Sequence, residues 1–127
     1  MDWMRSSLVG LLFAACAAPA FAGGMQDLTG GWARDDGTVK INIAPCGSNY
    51  CAVNTFVTSS DTKEHVGDKL ILTLKSDSLS EFKGQAYDVR RQKSYAVTIT
   101  LQGKAMNISG CILAGILCKS AGYTQIN

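Results

Sequence analysis

Four cysteines of the chain form two close pairs, Cys46 with Cys51 and Cys111 with Cys118, whose members are separated by four and six residues. Cysteines at such short spacing can oxidise to local disulfides or hold a metal ion as thiolates. These gaps fit zinc ligands poorly, and an export signal at the start of the chain indicates an oxidising compartment. We therefore expect two hairpin disulfides, with zinc as the alternative, and no cofactor.

Residues 1–22 have the features of a signal peptide. Arg5 supplies the basic segment, residues 8–18 the apolar segment, and Ala20-Phe21-Ala22 a cleavage site with small residues. The apolar run is far shorter than the roughly 20 residues of a membrane span, so no transmembrane segment is expected. The interpretation is a secreted, periplasmic protein. A lipoprotein anchored at Cys16 is the alternative, because the three residues before it loosely resemble a lipoprotein box.

The remaining chain, residues 23–127, has the length of one domain and not of two. Its charge is nearly balanced: the whole chain carries a formal net charge of +2. Such a balance gives no reason to expect a nucleic-acid partner. The densest basic run, Arg90-Arg91-Gln92-Lys93, is interpreted as a solvated hairpin turn in preference to an anion site.

Apolar residues recur with a period of two along the mature chain, which predicts β-strands with one face on a core. Turn signals such as Asp35-Asp36-Gly37 and Gly103-Lys104 separate the runs. The pattern predicts about eight strands, at residues 30–35, 38–45, 50–58, 69–75, 81–89, 94–102, 105–112 and 118–125. Sequential hairpins favour an all-β, antiparallel up-and-down barrel, because closure removes both exposed edges.

No set of residues in the sequence points to catalysis, and we expect no enzyme. His65 is the single histidine and lies in a polar segment, where a surface position is favoured. Asp35 and Asp36 precede Gly37 between two strands, so a hairpin turn explains them better than paired catalytic carboxylates do.

Two blocks of residues resemble a bacterial family of exported proteins known as domain of unknown function 2147. The first block runs from Gly31-Trp32 through Asp36-Gly37 to Pro45-Cys46-Gly47 and Cys51; the second contains Phe82, Gly84, Tyr87, Tyr95, Ser109-Gly110-Cys111 and Cys118. The resemblance implies a periplasmic, lipocalin-like barrel with no established reaction. Gly30-x-Trp32 on the first strand also resembles the lipocalin signature, whereas the arginine that stacks on the lipocalin tryptophan has no evident counterpart.

Two functions remain compatible with this sequence. In the first, the barrel interior binds a small apolar or amphipathic molecule, because an eight-stranded barrel can just hold one. Its candidate ligand-binding residues are Trp32, Ile41, Leu72, Tyr95, Val97 and Ile99. In the second, these residues fill a packed core, and the domain binds or inhibits an envelope protein through the loops at residues 59–66 and 112–117.

The signal peptide yields the first testable prediction, which concerns processing. Cleavage after Ala22 should release a soluble periplasmic protein that begins at Gly23. Intact-mass spectrometry of the protein from a periplasmic extract measures this directly. A species with a diacylglyceryl group that begins at Cys16 would show the lipoprotein alternative to be correct.

Overall fold

A computed structural model describes residues 24–60, 63–112 and 115–127 of the chain. The proposed signal peptide, with Cys16, lies outside the described residues. The described part contains a 3-10 turn at Met25–Leu28 and eight strands. The strands are β1 (Gly30–Arg34), β2 (Val39–Cys46), β3 (Asn49–Val57), β4 (Lys69–Ser76), β5 (Glu81–Asp88), β6 (Lys93–Gln102), β7 (Ala105–Ile112) and β8 (Leu117–Gln125). Every predicted strand is present, and each end lies within one residue of its predicted position.

The eight strands form one closed barrel in which each strand pairs antiparallel with the next. The last strand, β8, pairs with β1 and completes the ring. This confirms the prediction of an all-β, up-and-down barrel. Closure follows from the sequence of hairpins, because an open sheet of the same strands would leave two unpaired edges. No helix within the described part of the chain has the length and hydrophobicity required to span a membrane.

The seam between β1 and β8 is short. It pairs Trp32 with Gln125, Ala33 with Thr124, and Arg34 with Tyr123. Three hydrogen bonds lengthen it: Asp35 N–H donates to the Gly122 carbonyl at 2.9 Å, Ile126 N–H to the Gly31 carbonyl at 2.9 Å, and Gly31 N–H to Asn127 Oδ1 at 2.8 Å. Gly30 has a φ of 123°, and a Cβ there would lie 2.7 Å from the Asn127 carbonyl oxygen, so the close approach requires glycine.

Apolar side chains fill the barrel interior. The largest fully buried ones are Trp32, Phe82, Leu28, Ile43, Leu72, Ile99 and Val39. Leu28 comes from the 3-10 turn, which lies at the barrel end where β1 begins and β8 ends. The indole Nε1–H of Trp32 donates to the Leu28 carbonyl oxygen at 2.8 Å, so burial leaves the indole nitrogen satisfied. We call this end the closed end, and the end with the β1–β2, β3–β4, β5–β6 and β7–β8 turns the open end.

Both predicted disulfides are present, and each lies within one hairpin. Cys46 joins Cys51 near the closed end, with their Cα atoms 5.7 Å apart. Cys111 joins Cys118 in the β7–β8 hairpin at the open end, with their Cα atoms 4.0 Å apart. The hairpin pairing of the four cysteines is therefore confirmed. Two short cross-links of this kind help a domain whose size allows only a modest core.

Candidate functional site

The structure places five of the six predicted ligand-binding residues together in the core. Trp32, Ile41, Leu72, Val97 and Ile99 are each at most 5 % exposed. Tyr95 is half-buried and lies outside this cluster, next to Gly110 near the open end. Ligand binding by these residues stays a prediction. Their packing matches the alternative in which the same side chains fill the interior.

A cleft opens in the barrel wall at the open end, between the β1–β2 turn and β8. It has a volume of about 500 Å³. Because side chains alternate along a strand and Trp32 points inward, Arg34 on the same strand also points inward. The cleft wall combines apolar groups with charges of both signs; among its residues are Arg34, Asp35, Asp36, Ile108, Gly110, Lys119, Ala121 and Tyr123. Asp36 pairs with Arg34, so Lys119 is the cation that can contact an anionic group of a small molecule or peptide.

Arg34 and Tyr123 are held by neighbours at one side of the cleft. The Arg34 guanidinium donates from Nη2 to Thr38 Oγ1 at 2.7 Å and from Nε to Asp36 at 3.2 Å. Burial raises the pKa of the Tyr123 phenol, and the nearby Arg34 charge opposes that rise. The Thr38 hydroxyl and backbone N–H both donate to Asp36, and they hold the pKa of that carboxyl at about 2.

The segment before β4 and the β5–β6 turn are tied together by ion pairs. Arg90 donates two hydrogen bonds to the Asp68 carboxylate, at 2.7 and 2.9 Å. Arg91 donates to Asp88 at 2.6 Å, and Asp88 is only 3 % exposed. The predicted hairpin turn is therefore present, and its two arginines contact carboxylates. These contacts fix the two loops against each other at the rim of the open end.

A buried polar contact holds the segment before β4 on the barrel. Asn54 on β3 is buried, and its Nδ2 donates to Glu64 Oε1 at 2.9 Å and to the His65 carbonyl at 3.1 Å. Its backbone N–H donates to the Asp68 carbonyl. The segment before β4 is thus held on the barrel by hydrogen bonds from Asn54, a buried residue of β3.

Exposed large apolar side chains are concentrated at the open end. Seven of the nine in the described residues lie there: Phe56, Val66, Tyr87, Val89, Ile112, Ile116 and Leu117. The other two are Leu79 and Ile126, near the closed end. Both loops that we expected to bind a partner contribute to this set, although residues 61–62 and 113–114 lie outside the described residues. Concentrated exposed apolar surface is typical of an interaction site.

The described residues that could support catalysis or metal binding are dispersed. His65 is exposed, and its backbone N–H donates to Asp68. Asp36 accepts hydrogen bonds from Thr38 and Arg34 within the β1–β2 turn. Asp35 accepts a hydrogen bond from Thr124 Oγ1 at 2.8 Å. In the part of the chain that the structure describes, no group of three or more histidine, cysteine, aspartate or glutamate residues could hold a metal ion.

Sequence reasoning did not identify the cleft residues Arg34, Lys119 and Tyr123. A signal for the cleft was present: the turn residues from Asp35 end β1 after five residues, whereas β8 has nine. Two paired strands of unequal length leave part of the longer one unpaired. The buried Leu28 was also missed, because the turn that carries it is too short to show a periodicity.

The fold and the cleft together define a class: a small, disulfide-linked, closed antiparallel barrel with a packed interior and one open end. Residues 30–125 match the family described as uncharacterized protein conserved in bacteria (DUF2147), and the chain belongs to this family. Neither a curated protein nor a solved structure matches the chain. The family resemblance proposed from the two cysteine blocks is therefore confirmed.

The β1–β2 turn yields a prediction about pH. The pKa of Asp36 in the folded protein, about 2, lies below its ordinary value of 3.8. Its contribution to stability is therefore present above about pH 4 and is lost as the pH falls toward 2. Titration of the Asp36 carboxyl followed by NMR should give a midpoint near 2.

Replacement of Thr38 provides the control for this titration. The variant Thr38→Val loses the hydroxyl donor and keeps the backbone N–H, so the Asp36 midpoint should rise part of the way toward 3.8. Equal Asp36 midpoints in the variant and the unmodified protein would show that the Thr38 hydroxyl does not lower the pKa of Asp36.

Proposed function

We propose that this protein is a periplasmic, non-enzymatic binding module that uses its open end to contact a protein of the cell envelope. The observation that carries the proposal is the concentration of exposed apolar side chains at that end, on the strand ends and connections of three different hairpins. Exposed apolar side chains cost free energy in water, and burial against a partner recovers it.

The disulfides and the family support the cellular location. Disulfides persist in oxidising compartments such as the bacterial periplasm, and they are rare in the cytosol. Both pairs of cysteines are joined, and the family is bacterial. Together with the signal-peptide pattern at residues 1–22, this favours a protein that acts in the periplasm.

The rigidity of the open end supports the same proposal. The packed interior, the Cys111–Cys118 bridge and the Arg90–Asp68 ion pair all limit the movement of the loops at that end. A surface that is ordered before binding loses less conformational entropy when it binds. The exposed ion pair adds little to stability by itself, so its main effect is on geometry.

Site-specific photo-crosslinking in cells tests the proposal. Ile116 at the open end is 79 % exposed and Leu79 at the opposite side of the barrel is 68 % exposed, so the two positions form a matched pair. A photoreactive amino acid at residue 116 should give a discrete cross-linked product with one envelope protein, because that end contacts the partner. The same amino acid at residue 79 should give none.

Two variants sharpen this experiment. Leu117→Ser should reduce the product at residue 116, while Ile126→Ser, near the closed end, should leave it unchanged. Equal products at residues 116 and 79, or no product at residue 116, would contradict a partner surface at the open end.

A second candidate function is favoured by the cleft lining. Ile108, Ala121 and Tyr123 offer apolar contact, and Lys119 brings positive charge to the same cleft, in which the Arg34 charge is matched by Asp36. This combination suits a small amphipathic molecule with an anionic head group. The site would then lie in the barrel wall, with Tyr95 next to the cleft residue Gly110 and Trp32 two residues along β1 from the cleft residue Arg34.

Trp32 fluorescence tests this second function. Trp3 lies in the predicted signal peptide, so Trp32 is the sole tryptophan of the mature protein. A brominated dodecanoic acid bound in the cleft should quench Trp32 saturably, because Arg34 lies two residues further along β1. The variant Lys119→Gln should weaken the quenching, and Lys75→Gln on the outer wall should not. Linear, non-saturating quenching would show that the acid does not bind there.

A further inference from the structure

Strand β8 extends beyond the end of its neighbour β1. The pairing of β1 with β8 ends at Arg34 and Tyr123, and one further hydrogen bond joins Asp35 to Gly122. Residues 117–121 of β8 pair with β7 on one side. On their other side β1 has already ended, and residues 119–121 border the cleft. Leu117, Cys118, Lys119 and Ser120 are all exposed.

The backbone groups that face the cleft can be assigned from the register. In antiparallel pairs, residues that exchange no hydrogen bonds lie closer together, about 4.5 Å between Cα atoms, than those that do, about 5.5 Å. The Cα atoms of Cys111 and Cys118 are 4.0 Å apart, so Cys118 directs its N–H and C=O away from β7. Ser120, two residues further, does the same.

The seam confirms this assignment from the other direction. The Gly122 carbonyl accepts the hydrogen bond from Asp35, so the backbone groups of Gly122 face β1. Residues 118 and 120 share this orientation because they differ from residue 122 by whole periods of two. Within the described residues, no backbone group bonds to Cys118 or Ser120 on this side. The edge therefore presents two N–H groups and two carbonyls to solvent.

We propose that this edge of β8 binds an extended peptide segment of the envelope partner, which adds a strand to the barrel beside residues 117–121. This inference rests on the proposed protein-binding function and specifies its geometry. An unpaired strand edge is a template for such addition, in which main-chain hydrogen bonds supply affinity and side-chain pockets supply specificity. Within the described residues, this edge also borders the cleft that contains Lys119, so it offers backbone groups and a charged side chain together.

The cleft defines the chemistry of the peptide. Among the described residues Lys119 forms no ion pair, whereas Asp35 and Asp36 are already bonded to Thr124 and to Arg34 with Thr38. An acidic residue of the peptide would face Lys119, and a β-branched apolar residue would face Ala121 and Ile108. About five residues fit along the edge at roughly 3.3 Å per residue.

A second copy of this chain fits the edge less well. It would bring another Lys119 into the same cleft, and like charges on adjacent strands are destabilising. Five residues of edge are also too few to bury the roughly 1,000 Å² that a stable protein–protein interface needs. A peptide segment with an acidic side chain avoids this repulsion, because its charge complements Lys119, and the rest of the envelope partner can add contact area at the exposed apolar side chains of the open end.

The test adds a capped seven-residue peptide to the mature protein. Its sequence is threonine, glutamate, threonine, valine, threonine, glutamate, threonine. Hydrogen exchange followed by NMR should show fast exchange of the Cys118 and Ser120 amides in the free protein, and protected Lys119 and Ala121 amides. The peptide should slow exchange at Cys118 and Ser120. A peptide with N-methyl groups on the pairing amides keeps the side chains and should bind at least about tenfold more weakly.

Variants of the protein separate the edge from the fold. Ser120→Pro removes only an outward N–H, which a proline on a strand edge tolerates, so the barrel should remain folded and peptide affinity should fall at least about tenfold. Lys119→Glu should reverse the charge preference, so that a peptide with lysine in place of glutamate binds better. The comparison of the unmethylated and N-methylated peptides uses the unmodified protein, so it tests the proposal even if a variant fails to fold. Native-like NMR spectra of the protein with the N-methylated peptide show that the fold is intact.

Each outcome has a definite meaning. Protection of the Ser120 amide in the free protein at millimolar concentration, with a doubled mass in solution, would show a second copy at the edge and overturn the proposal. Equal affinity of methylated and unmethylated peptides would also overturn it. If Ser120→Pro leaves the cross-link at residue 116 intact, strand addition fails while the open-end function stands. If residue 116 never cross-links but the peptide binds, strand addition stands while the proposed partner surface at the open end fails.

Discussion

The pairing of β1 with β8 is the constraint on which the rest of the structure depends. Every other contact between neighbouring strands is made across a hairpin, between segments that follow each other in the chain. Only the seam joins the two ends of the sheet, and it does so through three residue pairs and a few added hydrogen bonds. Closure in turn produces an enclosed interior, in which Trp32 and Phe82 can be buried completely.

The unequal lengths of β1 and β8 give the barrel two different ends. At one end Leu28 and the Trp32 indole seal the interior, and Asn127 lies against the glycines of β1. At the other end β1 stops early, and the wall opens into a cleft beside the exposed strand of β8. Most of the exposed large apolar side chains of the described residues lie at this second end. The difference in strand length thus distinguishes the sealed end of the barrel from the end that we propose to bind a partner.

Much of this fold could be predicted from the sequence, because the relevant signals are local. A period of two and clear turn residues located all eight strands, and short cysteine spacings identified both hairpin disulfides. The cleft depends on which residues of β8 lie beside β1, which no local pattern specifies. Gly84 illustrates the same limit: the family pattern contains it, but only the structure shows that a Cβ there would overlap the Thr73 carbonyl.

The seam also has a consequence for how the chain folds. Each hairpin brings together residues that are close in sequence, whereas the hydrogen bond between Gly31 and Asn127 joins residues separated by 96 positions. Contacts between distant residues carry the larger loop-closure entropy, so the hairpins can assemble first and the ring closes last. Until the ring closes, β1 is paired only with β2, and β8 only with β7. The two free edges of this incomplete sheet can pair with other chains before they pair with each other.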